Sequence, residues 1–166
     1  MAAACLAAFQ PPVPAHAETV IVGRIPTTIA RAGPTNLNSG RTIVKLRPVA
    51  HPRSPRPGSA MVAIDGLACD SPPGVMYEVY LQARNGRRVL LGVINFYNAA
   101  AGDYGSGAND GRPSGSRHFD ATAALRKLGG DPSAIVFQPI SGVTGPAVRA
   151  DPRARVRFGS ATITAR

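Results

Sequence analysis

Val75-Met76-Tyr77-Glu78-Val79-Tyr80-Leu81-Gln82-Ala83, then Arg84-Asn85-Gly86, then Arg87 to Tyr97, is the stretch whose reading decides the fold. Its first segment alternates: Val75, Tyr77, Val79 and Leu81 share one face, and Met76, Glu78, Tyr80 and Gln82 the other. A period of two in β-branched and aromatic residues marks a half-buried strand. Asn85-Gly86 predicts a type I′ turn, because both residues tolerate the positive φ that this turn needs. The segment therefore reads as a hairpin with one apolar face that must meet a second layer.

The neighbouring segments repeat the pattern. Thr19 to Ile25, Thr42 to Val49 and Ala60 to Leu67 read as strands before the hairpin, and Ala134 to Ile140 and Arg153 to Ala165 after it. Gly33 to Gly40 is turn-forming, 51–59 is an exposed Pro-rich loop, and 98–116 is a long flexible loop of Gly, Ala, Asp, Asn and Ser. One helix is expected: Asp120 as N-cap, Ala121 to Leu128 as its body, and Gly129-Gly130 as its stop. With 18 glycines and 16 prolines, about a fifth of 166 residues, a helical bundle is excluded. The fold class is all-β, an antiparallel β-sandwich of about seven or eight strands with one short helix. It occupies 18–166 as a single domain.

The first 17 residues read as processing rather than structure. Ala2 to Phe9 is apolar, and Ala15-His16-Ala17 is the small-residue pattern of a signal-peptidase site. Cleavage is expected between Ala17 and Glu18, which makes the chain secreted or periplasmic. The usual basic n-region is missing, so either the start lies upstream or the chain is a fragment. Export removes Cys5 and leaves Cys69 alone, without an internal disulfide, as a buried inert thiol. No segment is long and apolar enough to make a transmembrane helix.

The formal net charge is +10, nearly all of its cations arginine, since only Lys45 and Lys127 are lysines. A composition biased toward Arg, Ala, Gly and Pro accounts for this as well as an acidic partner does. The one cluster, Arg153, Arg155 and Arg157, would alternate onto one face of a strand, a solvated face rather than a helix entering a groove. Nucleic acid is disfavoured as a partner.

Catalytic chemistry is not evident. His51 and His118 are the histidines left after cleavage, and they lack metal-ligand spacing. Asp70-Ser71-Pro72-Pro73-Gly74 gives Cys69 turn chemistry rather than an activating basic pocket. Gly102 to Gly107 lacks the Lys-Ser/Thr of a phosphate loop, and Asp103 and Asp110 lack the ordered spacing of a calcium loop. Glu78, alone among the carboxylates in mid-strand, is expected to pair with a cross-strand arginine.

In order, the strands read Val62-Ala63-Ile64-Asp65-Gly66-Leu67, Met76-Tyr77-Glu78-Val79-Tyr80-Leu81 and Leu91-Gly92-Val93-Ile94-Asn95-Phe96-Tyr97. His118-Phe119-Asp120-Ala121-Thr122-Ala123-Ala124-Leu125, Ile135-Val136-Phe137-Gln138-Pro139 and Ala154 to Ile163 follow. The series resembles the C-terminal domain of tyrosinases and polyphenol oxidases, whose Lys-Phe-Asp-Val-Tyr-Val strand is similar to the motif Tyr77, Glu78, Val79, Tyr80. The resemblance implies a β-sandwich that packs on a type-3 copper oxidase domain, covers its entrance and assists its maturation. It implies no cofactor on this chain, because the copper belongs to the partner. Phe96, Tyr97 and Tyr104 are the candidate plug or contact residues, a phenol being the right shape for a phenol-oxidase pocket.

The expected function is thus that of a non-catalytic partner domain, not an enzyme. An independent secreted binding module for carbohydrate, cell wall or polyanion is the alternative. An aromatic content of only 5% without Trp argues against a sugar platform.

Overall fold

The computed structural model describes residues 25–49, 58–96, 115–143 and 145–166. In chain order the strands are β1 (Thr27–Ala32), β2 (Thr35–Asn36), β3 (Thr42–Lys45), β4 (Arg47–Pro48), β5 (Ala60–Leu67), β6 (Met76–Ala83), β7 (Arg88–Ile94) and β8 (Gly115–Asp120). The helix α1 (Thr122–Lys127) follows, then β9 (Pro132–Ile140), a 3₁₀ turn at Pro152–Ala154, β10 (Arg157–Phe158) and β11 (Ser160–Ala165). Every pairing is antiparallel. One sheet has the order β4-β1-β11-β5-β8, the second β3-β9-β6-β7, and β10-β2 forms a small third ladder. The all-β sandwich read from the alternation is what the chain forms.

Its core lies between the two large sheets. Ile29, Val62, Ile64, Ala161 and Ile163 of the first sheet join Val44, Tyr77, Val79, Leu81, Ile135 and Phe137 of the second in one buried cluster. Burying each large apolar side chain contributes about 1.5–3 kcal/mol, so this interface is the main source of stability. The helix closes it at one end, with Ala124, Leu125 and Leu128 in the same cluster. Thr122 ties the helix to β5, its Oγ1 accepting from the Ala60 N–H at 2.9 Å.

Both lateral sides of the sandwich are managed. On one, the segment expected as a single strand from Thr42 to Val49 divides at Leu46, because β3 pairs with β9 in one sheet and β4 with β1 in the other. Leu46 is buried at the crossing, and its N–H donates to the Ser133 carbonyl at 2.9 Å. On the other side Phe119 of β8 lies over Gly92 of β7, where a Cβ would stand 2.8 Å from a ring carbon.

Several elements differ from expectation. The hairpin turn is not type I′, because Arg155 is the only non-glycine residue with positive φ among those described. Gly86 N–H instead donates to the Ala83 carbonyl and Ala83 N–H to the Arg87 carbonyl, with Gly86 at φ +83°. That is a three-residue loop closed by a left-handed glycine bulge, the next most common hairpin connection. The loop expected over 98–116 gives way to β8 at Gly115, and β1 occupies residues read as neither strand nor turn. The helix body starts one residue late: Ala121 is its N-cap, although Asp120 Oδ1 still accepts from the Thr122 N–H at 2.8 Å.

The final strand, expected from Arg153, is interrupted. Arg153 lies in the 3₁₀ turn, Arg155 is left-handed, and only Arg157 is in a strand, so the three arginines do not alternate along one face. Residues 1–17, the strand expected over 19–25 apart from Ile25, and Pro-rich residues 51–57 lie outside the described residues.

Candidate functional site

Strand β6 divides the family-like motif between two environments. Tyr77 and Val79 point into the sandwich and are fully buried, whereas Glu78 and Tyr80 lie on the outer face of the four-stranded sheet. Among the described residues Glu78 pairs with no arginine: register places Val93 and Gln138 beside it. Its Oε2 accepts instead from the Tyr80 hydroxyl at 2.6 Å. That bond to a carboxylate is the main reason the Tyr80 phenol is held above its ordinary pKa. Arg88 stacks 5.5 Å from the Tyr80 ring centre, a cation–π contact contributing about 0.5–1 kcal/mol at an exposed site.

The same register builds a transverse apolar row across this outer face. Ile43 of β3 lies opposite Val136 of β9, Val136 opposite Tyr80 of β6, and Tyr80 opposite Leu90 of β7. Ile43 is 51% exposed and Leu90 49%, while Val136 beneath them is fully buried yet stands apart from the main core cluster. One flanking row carries Lys45, Ala134, Gln82 and Arg88; the other carries Gln138, Glu78 and Val93. The face is therefore an apolar strip bordered by polar groups of both signs. The alternation of β6 predicts that Tyr80 faces outward. It cannot reveal the strip, which joins residues from four separate segments.

Of the candidate plug residues, Phe96 is in the core rather than at the surface, 1% exposed. Its ring meets that of Tyr77 edge to face at 5.5 Å, and its carbonyl accepts from the Cys69 thiol at 3.7 Å. Tyr97 and Tyr104 lie outside the described residues, as do Asp103, Asp110 and His51. Cys69 is fully buried, and burial pushes its thiol up, away from the thiolate a nucleophile needs. His118 is exposed on β8, and among the described residues no three His, Cys, Asp or Glu side chains gather as a metal site.

A second feature lies where β2 and the Pro152–Arg157 segment meet. Asn36, Leu37, Asp70, Pro152, Arg155, Val156 and Arg157 line an open cleft of about 480 Å³. Arg157 Nη1 is 2.6 Å from Asp70 Oδ1, and Arg155 Nη1 is 3.6 Å from Oδ2. The hydrogen bond from Arg157 is the main cause of an Asp70 carboxyl held below its ordinary value. Compared with known proteins, the chain matches no family model and no curated sequence.

Proposed function

We propose that this chain is a non-catalytic β-sandwich domain that docks on a partner protein, and that the partner is the type-3 copper domain of a phenol oxidase, which it shields or helps to mature. The observation that carries the docking is the strip Ile43–Val136–Tyr80–Leu90 on the outer face of the four-stranded sheet. Scattered apolar residues are ordinary on a surface. Two half-exposed aliphatic side chains in line, with an aromatic ring between them and a polar border, have the anatomy of a small contact patch. Support for a copper partner comes from the strand order and from Tyr77, Glu78, Val79 and Tyr80, similar to those of the tyrosinase C-terminal domain. With Phe96 in the core, a phenol plug rests on Tyr97 or Tyr104.

The test is to titrate the full chain into a type-3 copper phenol oxidase stripped of its own C-terminal domain, following diphenol oxidation. A saturable fall in rate is expected. Ile43→Arg combined with Leu90→Arg should abolish that fall while costing less than about 1 kcal/mol of stability, since both side chains are half in water. An unchanged rate with no complex on a sizing column would remove the copper partner. Inhibition by the double variant equal to that of the native chain would move the docking face elsewhere.

A further inference from the structure

We propose that the cleft between β2 and the Pro152–Arg157 segment binds the anionic group of a small ligand, a carboxylate or a phosphate, with Arg155 as the cation that reaches for it. Charge is the first ground. The lining holds two guanidinium groups and one carboxylate. Arg157 is committed, donating to Asp70 at 2.6 Å and to the Arg155 carbonyl at 3.2 Å. Asp70 is thereby engaged, and at 3.6 Å Arg155 is beyond hydrogen-bond range of it. The Arg155 side chain is 77% exposed, so the cleft keeps a surplus positive charge that can still be recruited. A guanidinium is suited to this, because its planar fork can grip two oxygens of one anion.

Backbone geometry is the second ground. Arg155 has φ 46° and ψ 51°, a left-handed conformation that glycine adopts freely and arginine does not. The chain on both sides of it is clamped. Ala154 carbonyl accepts from Asp70 N–H at 2.7 Å, and Val156 carbonyl accepts from Leu37 N–H at 2.8 Å. Arg157 and Ala68 exchange both of their backbone hydrogen bonds at 2.9 Å. Such over-determination is what lets a strained residue persist, and strain of this kind gathers at ligand sites. The third ground is room: about 480 Å³ falls in the range of small-molecule sites. Of its apolar lining residues Pro152 is exposed, while Leu37 and Val156 are buried, so Pro152 is the one that can meet a short carbon body attached to the anion.

The site is tested by amide chemical-shift titration of the full chain with two probes, inorganic phosphate for the bare anion and benzoate for an anion carrying an apolar body. Saturable shifts at residues 36–37, 70 and 153–157 are expected with at least one probe, and the stronger binder identifies the ligand class. Arg155→Gly should weaken binding about tenfold, the cost of a charged hydrogen bond, while melting no lower than the native chain because glycine suits the backbone. Arg153→Gln removes the same charge from a residue outside the lining, and it should bind as the native chain does. No saturable shift with either probe would overturn the proposal. So would an Arg155→Gly variant that binds unchanged, or an Arg153→Gln variant weakened to the same degree.

Discussion

Tyr77 carries the clearest tension at the scale of a single residue. Its ring is core packing against Phe96, yet its hydroxyl is buried without a hydrogen-bond partner among the described residues. A buried unmet hydroxyl costs about 1–3 kcal/mol. Tyr77→Phe should therefore raise stability at neutral pH by about 1 kcal/mol in urea unfolding. A loss of that size would mean the hydroxyl has a partner. Burial also pushes the phenol up to about 12. A phenol whose folded pKa exceeds its unfolded value of about 10 stabilises fully below pH 10 and loses that contribution as the pH climbs toward 12. The native chain should weaken across that window more steeply than Tyr77→Phe. Asp70 works in the opposite direction: its depressed carboxyl stabilises above the ordinary value of 3.8, and the contribution is lost as the pH falls through the lower folded value. Melts between pH 5 and pH 2 should show Asp70→Asn declining less than the native chain. Alternation in β6 made the burial of Tyr77 legible. The unmet hydroxyl was not, since it depends on Cys69 and Phe96 folding around it from elsewhere in the chain.

Elements were legible in proportion to the apolar face they bury. β5, β6 and β9 carry long apolar or alternating runs and were found within two residues of their ends. β8 is an edge strand, exposed at four of its six positions, and Gly-Ser-Arg-His-Phe-Asp has too little periodicity to separate it from a loop. The two-residue strands β2, β4 and β10 exist only through their partners, which no local pattern specifies. The contact between Phe119 and Gly92 fixes the lateral closure of β7 on β8 and can be tested directly. Gly92→Ala should cost about 1–3 kcal/mol by overpacking against the ring. In a Phe119→Ala background the same change should cost far less, and a double-mutant cycle reads the difference. Equal costs in both backgrounds would mean that β7 is strained by something other than the ring.

For the whole molecule, fold class followed from alternation and turn chemistry, but the surface features did not. The outer strip assembles from four segments, and the cleft from three. Both depend on register, which the sequence encodes only through the completed sandwich. Charge acts on this scale as well. The sequence carries a net charge of +10, and among the described residues the ion pairs that oppose it are on the surface, Arg84–Asp131 and the two arginines on Asp70. Self-repulsion should outweigh them, so raising sodium chloride from about 10 to about 150 mM should lift Tm by a few degrees. A fall in Tm would show that the ion pairs dominate.

β1 and β11 are neighbours, with Thr27 opposite Ala165 and the ladder running antiparallel from that end to Ala32 opposite Ala161. A pull applied at Thr27 and Ala165 would load this ladder from its open end. The hydrogen bonds would then break one after another, as in a zipper, rather than all together in shear. Under tension the domain should yield first at this seam, at low force, with β5 and the four-stranded sheet still folded behind it.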